Sequence, residues 1–288
     1  MEDDVSEQDA TAQPGIAPTA RRTAGTMFAA LYGELIPHSW HDPASEHDAY
    51  QLFFQRSLAM GWLDDRASTV EGDDPRTRAI VAPGLWAMND AGWSHPLAAS
   101  ESNLISWFQV EGGAVADDRP LPVQPFLRCA WDTTARIGTV RLSAVQVLLP
   151  VQGLDTSARP PQAIVPSLQT IDWFSEHAPR SRTSVTIRID GGQDPSISDV
   201  APQLARHLDH LDQSLFVCRA DEEEAPDGAP APPFDAGFWN GPPLHGMTLH
   251  GELPEWSCDA VGWLAETVAD AAAHLGVHAP LLLTVTRT

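Results

Sequence analysis

The sequence contains no lysine, and all 17 of its lysine-or-arginine positions are arginine. That absence removes whole classes of chemistry. A guanidinium stays protonated and forms no imine, so pyridoxal-phosphate enzymes and Schiff-base aldolases are excluded. The phosphate loop GxxxxGK[ST] and the strand lysine of protein kinases are missing with it. Cysteine is scarce as well. Cys129, Cys218 and Cys258 are odd in number and far apart. They fit reduced thiols of a cytoplasmic protein rather than a disulfide framework. No apolar run approaches the ~20 residues a membrane span needs. The acidic N-terminus has no apolar stretch of the signal-peptide kind. GxSxG, GxGxxG, HExxH and CxxC do not occur, so a nucleophile elbow, a dinucleotide fingerprint and the commonest zinc patterns have no support.

Positive charge is short overall. Net charge is −22 and the pI is near 4.6. Such a surface repels phosphate backbones and anionic lipid, so nucleic acid and membrane are not expected partners. It attracts cations, which points to a basic protein partner.

The most regular stretch is residues 183–288. Val185, Ile187 and Ile189 alternate with Thr186, Arg188 and Asp190, the period-two pattern of a half-buried strand. Ile197, Val200, Leu204, Leu208 and Leu211 then share one helical stripe, with Asp199 as expected N-cap and Pro202 in the first turn. Residues 214–219 and 244–253 read as strands. Val261, Leu264, Val268, Ala272 and Leu275 define a second amphipathic helix. Ser257 or Asp259 starts it, Gly276 ends it and Pro280 blocks its continuation. Leu281, Leu283 and Val285 make a last strand. The order β-α-β-β-α-β predicts a ferredoxin-like split unit, a fold that fixes no function.

The remainder divides into a disordered acidic tail over residues 1–24, a strand-rich half over 25–152 with one main helix, and a Pro-rich connection over 153–182. Strands are expected from Thr26, Leu104, Pro125 (to Trp131) and Ile137, and a short helix over Ile171 to His177. Tyr50, Phe53, Phe54, Leu58 and Trp62 lie at helical spacing and predict an aromatic core face. Along residues 137–151 the apolar phase slips by one at Ala144–Val145, which a β-bulge or burial on both faces would explain. The expected class is α+β with a mostly antiparallel sheet, and the β-α-β-β opening of the N-terminal half echoes the C-terminal unit without a residue-level repeat.

Three segments combine tryptophan with histidine and acid or amide groups. They are His38 to Asp42 with Trp40 and His41, Trp86 to His95 with Asp90 and Trp93, and Phe238 to His245 with Trp239 and Asn240. Separately, they are loop aromatics tucked on the core beside solvated histidines. Converging, they would line a pocket in which His41/Asp42, His95/Asp90 or His245 act as acid and base. His207 and His210 stand one helical turn apart but face away from or flank the apolar stripe, so no metal site is expected, and no cofactor either. The acidic run Asp221 to Glu224 opens a long Pro- and Ala-rich loop that ends in Phe234, Phe238 and Trp239.

Two functions follow from this pattern. The leading one is a cytoplasmic, non-catalytic protein that binds a protein partner through an acidic, tryptophan-bearing surface, as an adaptor, an inhibitor or an assembly subunit. The rival is a cofactor-independent small-molecule enzyme, of the specialised-metabolism kind, with a Trp-lined pocket and His/Asp acid–base chemistry. A free sheet edge would also offer a contact for a homo-oligomer.

Overall fold

The computed structural model describes residues 24–41, 48–64, 84–99, 103–113, 115, 119–154, 182–210, 216–219 and 229–288. Most of the proposed tail (residues 1–23), Asp42, the expected helix over Ile171 to His177, most of the Pro-rich connection and the acidic run at 221–224 lie outside the described residues.

The fold is mixed α and β. Its strands are β1 (Gly25–Pro37), β2 (Trp86–Gly92), β3 (Leu104–Gly112), β4 (Gly138–Leu149), β5 (Thr183–Gly192), β6 (Val217–Arg219), β7 (His245–Leu253) and β8 (Leu281–Arg287). Its α-helices are α1 (Ala49–Ala59), α2 (Val123–Ala135), α3 (Ser196–His210) and α4 (Cys258–His274). Among the described residues the strands form one eight-stranded sheet in the order β2-β3-β1-β4-β8-β5-β7-β6. Every neighbouring pair is antiparallel. Each half therefore runs β-α-β-β-α-β, and the two halves read the same way outward from the central β4–β8 ladder.

Among the described residues the α-helices all pack on one face of the sheet. Ala49 and Phe53 of α1, Phe126 and Leu127 of α2, Leu204 of α3 and Leu264 of α4 join one core with Leu31, Val145, Ile187 and Val285 of the strands. The helices lie side by side in the order α1-α2-α4-α3. A second, smaller core on the other face holds Phe28, Ala30, Tyr32, Trp107, Leu148 and Leu282, and its cover is a loop segment with Phe234.

Alternation along β5 does what its sequence requires. Val185, Ile187 and Ile189 are buried under the helices, which turns Thr186, Arg188 and Asp190 to the opposite face. Ser257 caps α4 by accepting from Ala260 N at 3.1 Å. Gly276 follows its end with φ +89°, the left-handed conformation of a helix stop. The β4 phase slip is a bulge, placed one residue or so earlier than the sequence suggests. Tyr32 pairs with Ala144 and Gly33 with Leu142, so Ser143 is the extra residue. The bulge returns Leu142 to the side of Val145 and Val147, and residues 144–149 are then buried on both faces. Gly33 sits opposite at φ +143°, where a Cβ would collide with the Arg141 carbonyl.

The N-terminal half departs from expectation in its helix count. Residues 125–131 form the middle of helix α2 and not a strand. Val123, Phe126, Leu127, Ala130 and Thr134 are buried at helical spacing, and Pro125 falls in the first turn, where it costs no hydrogen bond. This half thus has two helices among the described residues. On α1 the buried side is Ala49, Phe53 and Ser57, while Tyr50 and Leu58 are exposed. The expected aromatic face is only partly used because the small residues flanking Phe53 let α1 sit close. Helix α3 begins earlier than its sequence suggests. Asp194 accepts from Ser196 N at 2.8 Å, so Asp199 lies in the first turn and Pro202 inside the helix, at the cost of one backbone hydrogen bond.

The halves are also locked through their helices. Helix α2 starts at Pro122 without a side-chain cap of its own. Glu266 of α4 supplies one by accepting from Gln124 N at 2.8 Å, and Asp259 takes Gln124 Nε2 at 2.7 Å. Asp259 also pairs with Arg128. Gly262 makes this approach possible, since a Cβ there would lie 2.6 Å from Gln124 Cα.

Candidate functional site

The face of the sheet opposite the α-helices is crossed by residues 229–243, a strap held at both ends and in the middle. At its start, Gln146 Nε2 donates to Pro230 O at 3.3 Å and to Thr284 Oγ1 at 2.9 Å. The Tyr32 hydroxyl lies 3.2 Å from Gln146 Oε1 and 3.3 Å from Ala231 O, and donates its single proton to one or the other. In the middle, Phe234 meets Phe28 edge to face at 4.9 Å and Phe238 lies 4.9 Å from Phe234. Phe28 itself stacks on Trp107 at 5.8 Å. Asp235 accepts from Gly237 N at 2.8 Å and starts the short turn Ala236–Phe238. At its end, Asn240 Nδ2 donates to Gly191 O at 2.7 Å and Asn240 O accepts from Gln193 N at 2.9 Å.

Register decides what lies under the strap. One row across the sheet runs Ala30, Gln146, Thr284, Arg188 and Thr248; the next runs Phe28, Leu148, Leu282, Asp190 and Gly246. Between these rows and the strap is a recess of about 230 Å³. Its floor is Gln146, Thr284, Leu282, Arg188 and Asp190, and its wall is Ala229 to Pro232 with Pro243.

Arg188 and Asp190 are the ionic pair of this recess. Arg188 Nε lies 3.0 Å from each carboxylate oxygen of Asp190. The Asp190 side chain is 7% exposed and that of Arg188 45%, so the carboxylate is buried and the guanidinium reaches out from it. Burial raises the Asp190 pKa, while the charge and hydrogen bond of Arg188 hold it down. Gly246 leaves the carboxylate its space, since a Cβ there would come within 2.9 Å of Asp190 Oδ1. Burial also raises the Tyr32 pKa, so that hydroxyl stays a neutral hydrogen-bond donor.

The tryptophan and histidine segments are placed as follows. The second and third meet at Phe28, whose ring lies 6.4 Å from His95 and 6.0 Å from Phe238. Trp239 packs against the same cluster. The first segment does not join them, because it follows the far end of β1. There Trp40 is 60% exposed, stacks on His38 at 5.0 Å and lies under the Arg136 guanidinium at 5.2 Å. His41 N donates to His38 O in the turn. Trp86 is fully buried on the helix side, with Nε1 donating to Ser57 Oγ at 3.3 Å, and Trp93 packs on that core too. His245 starts β7 opposite Gly192 and acts at a distance on Asp194, whose pKa is lowered mainly by its hydrogen bonds to Ser196.

His95 is the one sequence-selected histidine on the strap side. Its Nδ1 accepts from Leu97 N at 3.2 Å and its ring meets Trp107 edge to face at 4.8 Å. Burial lowers its pKa and the charge of Asp90 opposes that. Asp90 Oδ1 itself accepts from the backbone N–H of Ala91. Among the described residues no three His, Cys, Asp or Glu side chains are grouped to hold a metal ion, and no helix is long and apolar enough to cross a membrane.

Sequence reasoning passed over Tyr32, Gln146, Arg188, Asp190 and Thr284. The polar side of β5 was visible as alternation, but nothing local marked it as the floor of a recess. No protein-family model matches this chain, and no curated protein matches it.

Proposed function

We propose that this protein binds a small organic molecule in the recess beneath the 229–243 strap, and that Tyr32 and Gln146, which tie down the start of the strap, keep that recess formed. One observation carries the reading: a concave space of about 230 Å³ with apolar walls in which Gln146, Thr284 and the Arg188–Asp190 pair converge. Apolar recesses with a few fixed polar groups are where small ligands bind. The ionisable side chains lining it, Arg188 and Asp190, neutralise each other, which favours binding over acid–base chemistry. Each half is then a ferredoxin-like unit, and the chain a duplication joined along β4 and β8. Cys129 and Cys258 are both free and buried, which supports a reducing, cytoplasmic setting.

The test is a fragment screen followed by amide chemical shifts. Binders should move the amides of Thr284, Arg188, Ala229 and Ala231. Fragments that bind only elsewhere would overturn the reading.

A second reading rests on the net charge of −22. A basic protein partner would be steered to this surface, with an association rate that drops as salt rises. Salt-independent association with the partner would remove it.

A further inference from the structure

We infer that the ligand of this recess is a small monocarboxylate, taken by the Nη edge of Arg188 while its apolar body lies against the prolines of the strap. The inference rests on the binding reading above and adds the chemical class.

Donor geometry carries it. Asp190 takes only Arg188 Nε, with 3.0 Å to each carboxylate oxygen. Among the described residues the two Nη atoms make no hydrogen bond or ion pair. A guanidinium held at Nε presents its Nη groups as a planar fork, which matches the two oxygens of a carboxylate. Thr284 adds one more donor. Its Oγ1 accepts from Gln146, which leaves the hydroxyl proton to give. Gln146 adds none, because both its amide protons go to Pro230 O and Thr284 Oγ1.

Other classes fit less well. A phosphate monoester carries more charge and more acceptors than this donor set serves. Pro230, Pro232 and Pro243 line the wall and have no N–H to offer. The buried Asp190 carboxylate would also oppose a dianion. A cationic ligand would meet Asp190 already paired and the guanidinium facing it. Space sets the size. The recess of about 230 Å³ suits a short-chain or single-ring acid.

The experiment is an amide-shift titration of the full chain with butyrate, hexanoate and benzoate, each against its own amide, and with phenyl phosphate. Three variants accompany it. Arg188→Gln with Asp190→Asn replaces the ion pair by a neutral hydrogen-bonded pair and avoids stranding a buried charge. Arg188→Lys keeps the charge and loses the fork. Ala231→Trp fills the recess from the strap. Melting curves of all three verify folding.

The carboxylates should bind at least about tenfold tighter than their amides, as expected for charge-assisted hydrogen bonds. That preference should vanish in the double variant and shrink in Arg188→Lys, and Ala231→Trp should abolish binding. Equal binding of acid and amide, lost in Ala231→Trp, would overturn the carboxylate and leave the recess as a ligand site. Preference for phenyl phosphate would overturn it in the same way. If no probe shifts the amides of the recess in the wild-type chain, the inference and the binding reading fall together.

Discussion

The two halves lay down their elements in one order and then finish the face of the sheet opposite the α-helices in different ways. In the N-terminal half, Phe28 and Trp107 stack there and Phe234 and Phe238 of the strap close over them. In the C-terminal half, β5 offers Thr186, Arg188 and Asp190 to the same face, and β8 offers Thr284. The strap begins over the second surface and is anchored on the first. The difference teaches how a repeated scaffold separates tasks. The N-terminal half provides the dry aromatic anchor and, through Tyr32 and Gln146, the polar tie at the strap's start; the C-terminal half provides most of the polar floor and, at Gly191 and Gln193, the tie at the strap's end.

Predictions that sharpen this contrast can be ordered by size. Phe28→Ala removes the ring that touches Trp107, Phe234, Phe238 and His95. It should cost ~3–5 kcal/mol in urea unfolding, the range for a buried phenylalanine. It should also speed proteolysis within residues 229–243. If proteolysis of the strap is unchanged, the aromatic cluster is not its anchor.

Next in size is the contact between the halves. Burial pushes the Glu266 pKa up to about 8, against the N–H of Gln124 and of Val123. The folded chain then holds this proton where the unfolded chain has released it, above the ordinary value of 4.5. Stability should therefore fall as pH rises from about 4.5 to about 8. The loss amounts to a few kcal/mol at ~1.4 kcal/mol per pH unit. Glu266→Gln keeps the acceptor for Gln124 N and should flatten that slope. An unchanged slope would place the pH dependence elsewhere.

Gln146→Leu unties the start of the strap and leaves Thr284 and the Pro230 carbonyl without their donor. A loss of ~1–3 kcal/mol is expected, with faster hydrogen exchange at Ala229 and Ala231 and little change at Phe238. Equal loosening along the whole strap would break the division between anchor and floor. The smallest effect belongs to Asp90→Asn. Removing the charge that supports His95 should lower the His95 pKa further, read by proton NMR of its ring. Stability should stay within about 0.5 kcal/mol, as for an exposed site.

Much of the C-terminal half was legible because its signals are local. Alternation in Val185, Ile187 and Ile189 needs only a few residues to be read, and so does the cap at Ser257 before α4. Helix α2 was missed for the opposite reason. Pro125 to Trp131 is too short to show a helical period, and the period emerges only when Val123 and Thr134 are counted with it. Trp86 and Trp40 look alike in composition, yet one is fully buried and the other 60% exposed. Their fate depends on which element comes to lie over them. The site was the least legible part, since Arg188 and Asp190 read as an ordinary solvent-facing alternation.

By itself the sequence determined the face each residue of β5 takes, the ends of α4, the strong negative charge and the chemistry that a lysine-free chain forgoes. These follow from periodicity, capping and composition, which act over a few residues or need no structure. Only the tertiary structure decided that helices cover one face, that β4 and β8 join the halves and that the strap closes over the other face. The hydrogen bond from Gln146 to Thr284 spans 138 positions. A contact at that range depends on every element between its ends packing in place, and no local pattern encodes it.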